Sequence, residues 1–158
     1  MSRASSRANS IWLSVALAAG SAAAAEPPLC ATVMTDKIVS SRSSKAAQER
    51  LRAEFDPRFA AVDPLAWAYD PAALMRSEAA RPVRQAYERR RNEEVHALFR
   101  RASEIYLRLG TAQGFKLLLQ NDEQEPAFHL DKSVTRAQCT EVVDLTSLVV
   151  EALDRGAP

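Results

Sequence analysis

Few side chains in this chain have the type and spacing to do chemistry. Its two histidines, His96 and His129, fall in a helical and an extended pattern, and neither has cysteine or carboxylate neighbours at metal-ligand spacing. His96, beside Val95, reads as a helix-surface residue, and His129, near Asp131, as a structural strand residue. Glu93 and Glu94 are adjacent, so a helix aims them at different faces and they cannot work as a pair. No glycine-rich phosphate loop, zinc-protease helix motif or nucleophile elbow occurs. The residues therefore predict no catalytic, cofactor or metal site. What remains is the chemistry of contact: apolar burial, ion pairing and a possible disulfide.

Contact chemistry is concentrated in one odd segment. Asp56-Pro57, Asp63-Pro64 and Asp70-Pro71 recur at seven-residue intervals. Proline inside a helix removes a hydrogen bond and clashes with the preceding turn, at about 3 kcal/mol or more. Asp followed by Pro is nevertheless a good N-cap and N1 pair. The expected outcome over residues 56–82 is a staircase of short helical turns, each restarted at an aspartate. Between the breaks lie Phe59, Val62, Leu65, Trp67, Tyr69, Leu74 and Met75. They read either as a local cap packed on the end of a long helix or as an exposed apolar tip that grips a partner. On the second reading Phe59, Leu65, Trp67, Tyr69 and Met75 are the candidate contact residues. Arg89, Arg90 and Arg91 follow as a charge run that is either solvated or steers acidic partners and lipid headgroups.

These residues need elements to hold them. From Val95 the apolar positions advance by alternating threes and fours through Leu98, Ala102, Ile105, Leu109 and Ala112, an a/d seam widened by Phe99 and Tyr106. The pattern predicts a long helix at about Val83–Leu109, closed by Gly110 and Gly114. A helix of roughly 30 residues spans about 45 Å, so the spacing also predicts a partner helix, from this chain or another copy. Lys45–Phe55 supplies a shorter helix with Ala47, Leu51 and Phe55 on one face. It runs antiparallel to the long helix if the broken segment turns the chain around.

Strands are expected at Ala31–Thr35, Phe115–Gln120 and Ala127–Leu130, with a short edge at Thr140–Val143. Lys37–Ser44 reads as a polar connection, and 121–126 as a turn. Asp144 caps a last helix at 145–155 that carries Leu145, Leu148, Val149, Ala152 and Leu153 and ends at Gly156. The fold class expected is α+β: a short-stranded β body from 31–39 and 115–143, with a projecting antiparallel helical hairpin at about 45–112.

Residues 1–25 read as a secretory signal peptide, with Arg3 and Arg7, an apolar run from Ile11 to Ala19, and cleavage after Ala25. The expected location is the periplasm, with one domain from Glu26 to Pro158. Removing Arg3 and Arg7 from the 21 basic side chains leaves 19 against 20 acidic ones. That balance gives no electrostatic case for nucleic acid or for an anionic membrane. Cys30 and Cys139 both survive processing, and in an oxidising compartment an even count favours a disulfide. A bridge within the chain, a bridge between copies and two buried thiols all remain open.

Three places in this order resemble the Skp (OmpH-like) family of periplasmic chaperones. Thr32–Val39, then Ser44-Lys45-Ala46-Ala47-Gln48-Glu49-Arg50-Leu51-Arg52-Ala53-Glu54-Phe55, resembles the family's first strand and outgoing helix. Asn92-Glu93-Glu94 through Gly114-Phe115-Lys116-Leu117-Leu118-Leu119 resembles its returning helix and second strand. Val143-Asp144-Leu145-Thr146, followed by Leu148, Val149 and Leu153, resembles the opening of its last helix. The resemblance implies a homo-oligomer, a trimer, whose strands share a β body and whose helical hairpins hold unfolded outer-membrane proteins without ATP or any other cofactor. It also implies peripheral contact with membrane or lipopolysaccharide. An envelope scaffold or adaptor that binds one folded partner is the alternative. The chain departs from the family in its shortened arm, interrupted by Pro57, Pro64, Pro71 and Pro82, in its near-neutral charge, and in Ser44 where glycine is usual.

Overall fold

The computed structural model describes residues 29–121 and 126–156. The expected signal peptide and most of the expected turn at 121–126 lie outside them. The chain is mixed α+β, mostly helical, with one small four-stranded sheet. Its elements are β1 (Cys30–Val33), α1 (Thr35–Val39), α2 (Arg42–Val62), α3 (Pro64–Tyr69), α4 (Pro71–Arg76) and α5 (Arg81–Ala112). There follow β2 (Leu117–Gln120), β3 (Pro126–His129), β4 (Val142–Asp144) and α6 (Thr146–Arg155).

The sheet order is β3-β2-β1-β4. Central β1 runs parallel to β2, with Cys30 opposite Leu117, and parallel to β4, with Cys30 opposite Val142. Strand β3 returns antiparallel to β2, with Leu117 opposite His129. Parallel neighbours cannot be joined by a tight hairpin, and here the whole helical region from α1 to α5 forms the crossover between β1 and β2. The unbroken run Leu117-Leu118-Leu119 reflects burial on both faces of the sheet. Leu118 packs with Ala31, Val33, Ile38, Ile105, Tyr106 and Val149 on one side. Leu117 and Leu119 pack with Cys30 and Val134 on the other. The residues expected as a polar connection at Lys37–Ser44 instead contain the end of α1 and the start of α2, and Ile38 is drawn into the sheet core.

Helix α5 sits on the sheet with its C-terminal half. Ala102, Ile105 and Tyr106 are buried there, and the Tyr106 hydroxyl lies 2.8 Å from the Ala31 carbonyl and 2.9 Å from that of Leu119. Gly110 lies inside α5 and does not close it; it is buried against the Leu118 side chain, whose Cδ2 a Cβ there would meet at 2.6 Å. The chain turns two residues after α5 ends, at Gly114, whose φ of 77° glycine adopts without cost. The partner helix expected for the seam from Val95 to Ala112 comes in part from this chain: α6, together with the sheet, covers its middle, while Val95 is 41% exposed and Ala112 is open to solvent.

The N-terminal half of α5 has its own partner. Arg50 of α2 meets Glu94 of α5 at 3.2 Å, Glu54 meets Arg90 at 3.8 Å, and Phe55 meets Tyr87 edge-on at 5.5 Å. Those pairings run in opposite directions along the two helices, so α2 and α5 are antiparallel. Their core is a separate cluster of Leu51, Phe55, Phe59, Leu74 and Ala80.

Pro57 does not end α2, which continues to Val62, seven residues beyond the expected stop at Phe55. Continuing the helix puts Phe59 on the same stripe as Leu51 and Phe55, where it is only 2% exposed. Burying such a ring is worth about 1.5–3 kcal/mol, comparable with the cost of an internal proline. The next two Asp-Pro pairs act as their chemistry predicts. Asp63 accepts the Ala66 N–H at 2.9 Å and Asp70 the Ala73 N–H at 2.9 Å, opening α3 and α4.

Candidate functional site

The contact residues proposed from the sequence all fall on the distal part of the α2–α5 hairpin, and the fold separates them into two groups. Phe59 is buried, so it serves the hairpin core and is not a surface contact. Trp67 is half-buried because α3 folds its indole onto Phe59, the rings stacked at 5.4 Å and 10°. Met75 also packs partly against this cluster. Leu65 and Tyr69, on the outer side of the six-residue α3, are 71% and 87% exposed. The segment is thus both a cap on the hairpin and an apolar tip, with the alternation along α3 deciding which residue does which. Arg84 ties this tip to α5 by hydrogen bonds to the carbonyls of Met75 and Ser77.

The arginine run does not form one patch. Successive helix positions are about 100° apart, so the three guanidiniums leave α5 in different directions. Arg90 turns toward α2 and meets Glu94 at 2.8 Å, Glu93 at 3.2 Å and Glu54 at 3.8 Å. The Glu93 hydrogen bond, then the Glu94 and Glu54 charges, raise its pKa above the already high arginine value. Arg89 and Arg91 are exposed and have no ion-pair partner among the described residues. The free positive charge near the hairpin is smaller than the sequence run suggests.

Below the tip lies a feature that no sequence run announced. A groove of about 360 Å³ opens between α2 and α5, on a floor of Leu51, Leu98 and Phe99. Val39 and Val95 stand at its lips, 48% and 41% exposed. Arg52 from α2 and Arg91 from α5 line it as well. The a/d seam already contained Val95 and Leu98. The missing signal was which α2 residues would face them: Ala47, Gln48, Leu51 and Arg52 line the groove from α2.

Cys30 and Cys139 form a disulfide with Cα atoms 5.6 Å apart, joining β1 to the segment before β4. Cys30 is fully buried beside Leu117, Leu119 and Val134. His96 and His129 are both exposed, on α5 and β3. Among the described residues no group of His, Cys, Asp or Glu is placed to hold a metal ion, and no helix is long and apolar enough to cross a membrane. The chemistry this surface offers is apolar contact at the tip and in the groove, with the exposed guanidiniums of Arg52 and Arg91 lining the groove. Compared with family models, with curated proteins and with solved structures, the chain matches none.

Proposed function

We propose that this chain is a non-catalytic, ATP-independent holdase of the periplasm, in the manner of the Skp (OmpH-like) chaperones that its sequence resembles. The α2–α5 hairpin is its binding arm, and several copies, three by the resemblance, share the β body. Unfolded outer-membrane proteins are the clients. One observation carries the reading: the hairpin has a hydrophobic core of its own, apart from the sheet core, and still leaves Leu65, Tyr69 and Val95 uncovered, with Val39 of α1 exposed beside it. Exposed apolar residues on a self-supporting arm suit passive capture of apolar chain segments. The open outer edges of β3 and β4 suit strand pairing between copies, since so small a sheet with short strands is marginal alone.

The second reading, an adaptor for one folded partner, is favoured by the internal packing of Phe59, Trp67 and Met75. That packing leaves a small, rigid contact surface in place of a broad adaptable one. Both readings are tested by diluting a urea-unfolded, tryptophan-free outer-membrane barrel protein into the mature chain. Turbidity and Trp67 emission are then followed together. Holding predicts suppressed turbidity, and the double change Leu65→Ser with Tyr69→Ser should lower that suppression while shifting stability by no more than about 0.5 kcal/mol. Unchanged client turbidity in the presence of the unmodified chain would exclude holding and leave the adaptor. Native mass tests the trimer, and cell fractionation the location.

A further inference from the structure

We propose that the groove between α2 and α5 is a docking site for one kind of segment: a stretch of polypeptide that presents an aromatic or aliphatic side chain next to a carboxylate. The proposal names the client chemistry of the holding surface and rests on that reading to this extent. The groove's volume of about 360 Å³ falls at the small end of the range for ligand pockets, roughly 300–1,000 Å³. It is large enough for a big side chain and open enough for the backbone to pass. Leu98 and Phe99 of its floor continue the seam that buries Ala102 and Ile105 against the sheet, and Leu51 joins them from α2. At this level the stripe is only partly covered: Leu98 and Phe99 are half-buried and Val95 is 41% exposed.

The charges choose the occupant. Arg52 and Arg91 reach the groove from opposite helices, both exposed and without an ion-pair partner among the described residues. Glu94 is the acid that lines it, and that carboxylate is largely buried and neutralised by Arg90 at 2.8 Å and Arg50 at 3.2 Å. The net presentation is an apolar floor with two free guanidiniums, groups whose planar donor array fits a carboxylate. A two-fold contact between two such grooves would bring like charges together, which disfavours a second copy in the same pose. The chain's own residues 1–28 carry Arg3 and Arg7 against the single acid Glu26, so they lack the complementary charge.

The test is fluorescence anisotropy on the whole mature chain, with two dye-labelled peptides. One places leucine and phenylalanine beside glutamate, and the other replaces each glutamate by lysine. The acidic peptide is expected to bind at least about tenfold more tightly, the scale of one or two charge-assisted contacts. The double change Arg52→Glu with Arg91→Glu should invert the preference, a result that a misfolded protein would not give. Val95→Asp should weaken the acidic peptide. Equal affinities for the two peptides, a preference that survives the charge reversal, or binding of sodium decanoate in place of the acidic peptide would each overturn the proposal. The last result would make the groove a lipid site. Intact aggregation suppression without a peptide preference would remove this site alone, whereas an intact preference without suppression would remove the holdase reading and leave the site standing.

Discussion

The hydroxyl of Tyr106 joins α5 to the two central strands. It is buried between the Ala31 and Leu119 carbonyls, and burial pushes its pKa up, so it remains a neutral donor. Tyr106→Phe keeps the ring packing and removes the donor. The expected loss is about 1–2 kcal/mol, measured by urea unfolding. Asp154 does comparable work between α6 and α2, accepting the N–H of Ser43 at 2.8 Å and of Arg42 at 3.2 Å. Burial pushes its carboxyl up, but the Ser43 and Arg42 hydrogen bonds and the Arg42 charge together outweigh this and hold it below its ordinary value. With the folded pKa below the unfolded one, the unfolded chain binds more protons in that window. The stabilisation is therefore present above the unfolded value of about 3.9 and is lost as pH falls through the folded value. Asp154→Asn should cost about 1–3 kcal/mol at neutral pH and flatten the acid limb of stability against pH, read from urea midpoints.

Among the elements, the three Asp-Pro pairs show how local and tertiary preferences divide. Asp63-Pro64 and Asp70-Pro71 open short helices, as cap chemistry alone dictates. At Asp56-Pro57 the same dipeptide is overridden, because continuing α2 places Phe59 against Trp67, with Tyr87 edge-on at 6.3 Å. Pro57→Ala restores the missing N–H and should raise stability by about 1–3 kcal/mol, the proline cost less what it saved in the unfolded chain. Asp63→Ala and Asp70→Ala should each cost about 1 kcal/mol. Thermal unfolding of the three variants tests both statements, and a Pro57→Ala chain no more stable than the parent would refute the override.

At the scale of the molecule there are two main cores and one covalent tie. The sheet core and the hairpin core share α5, and the groove lies between them. The Cys30–Cys139 disulfide closes a separation of 109 residues that contains the whole hairpin, and it anchors the far face of the sheet. Replacing Cys30 by Ala together with Cys139 by Ser should cost about 2–5 kcal/mol, seen as a lower urea midpoint than that of the oxidised parent. An unchanged midpoint would mean that the apolar contacts around Val134 alone hold that face.

Periodicity and turn chemistry made much of this protein legible from the sequence. The α+β class, the long helix, the strand around Leu117–Gln120, the edge strand, the last helix and two of the three Asp-Pro caps follow from local rules. Spacing along one chain segment fixes which side chains share a face. It does not say what that face will meet. The seam from Val95 to Ala112 was readable as a stripe, yet only the tertiary structure gave its middle to the sheet and left Val95 open above a groove. Phe59 and Leu65 were indistinguishable as apolar residues between prolines, and packing buried one and exposed the other. Arg89, Arg90 and Arg91 read as a charge run, solvated or steering, and the positions of Glu54, Glu93 and Glu94 decide which of its charges is spent. Local free energies are set by neighbours in sequence, but burial and charge pairing are set by neighbours in space, and those exist only once the chain has folded.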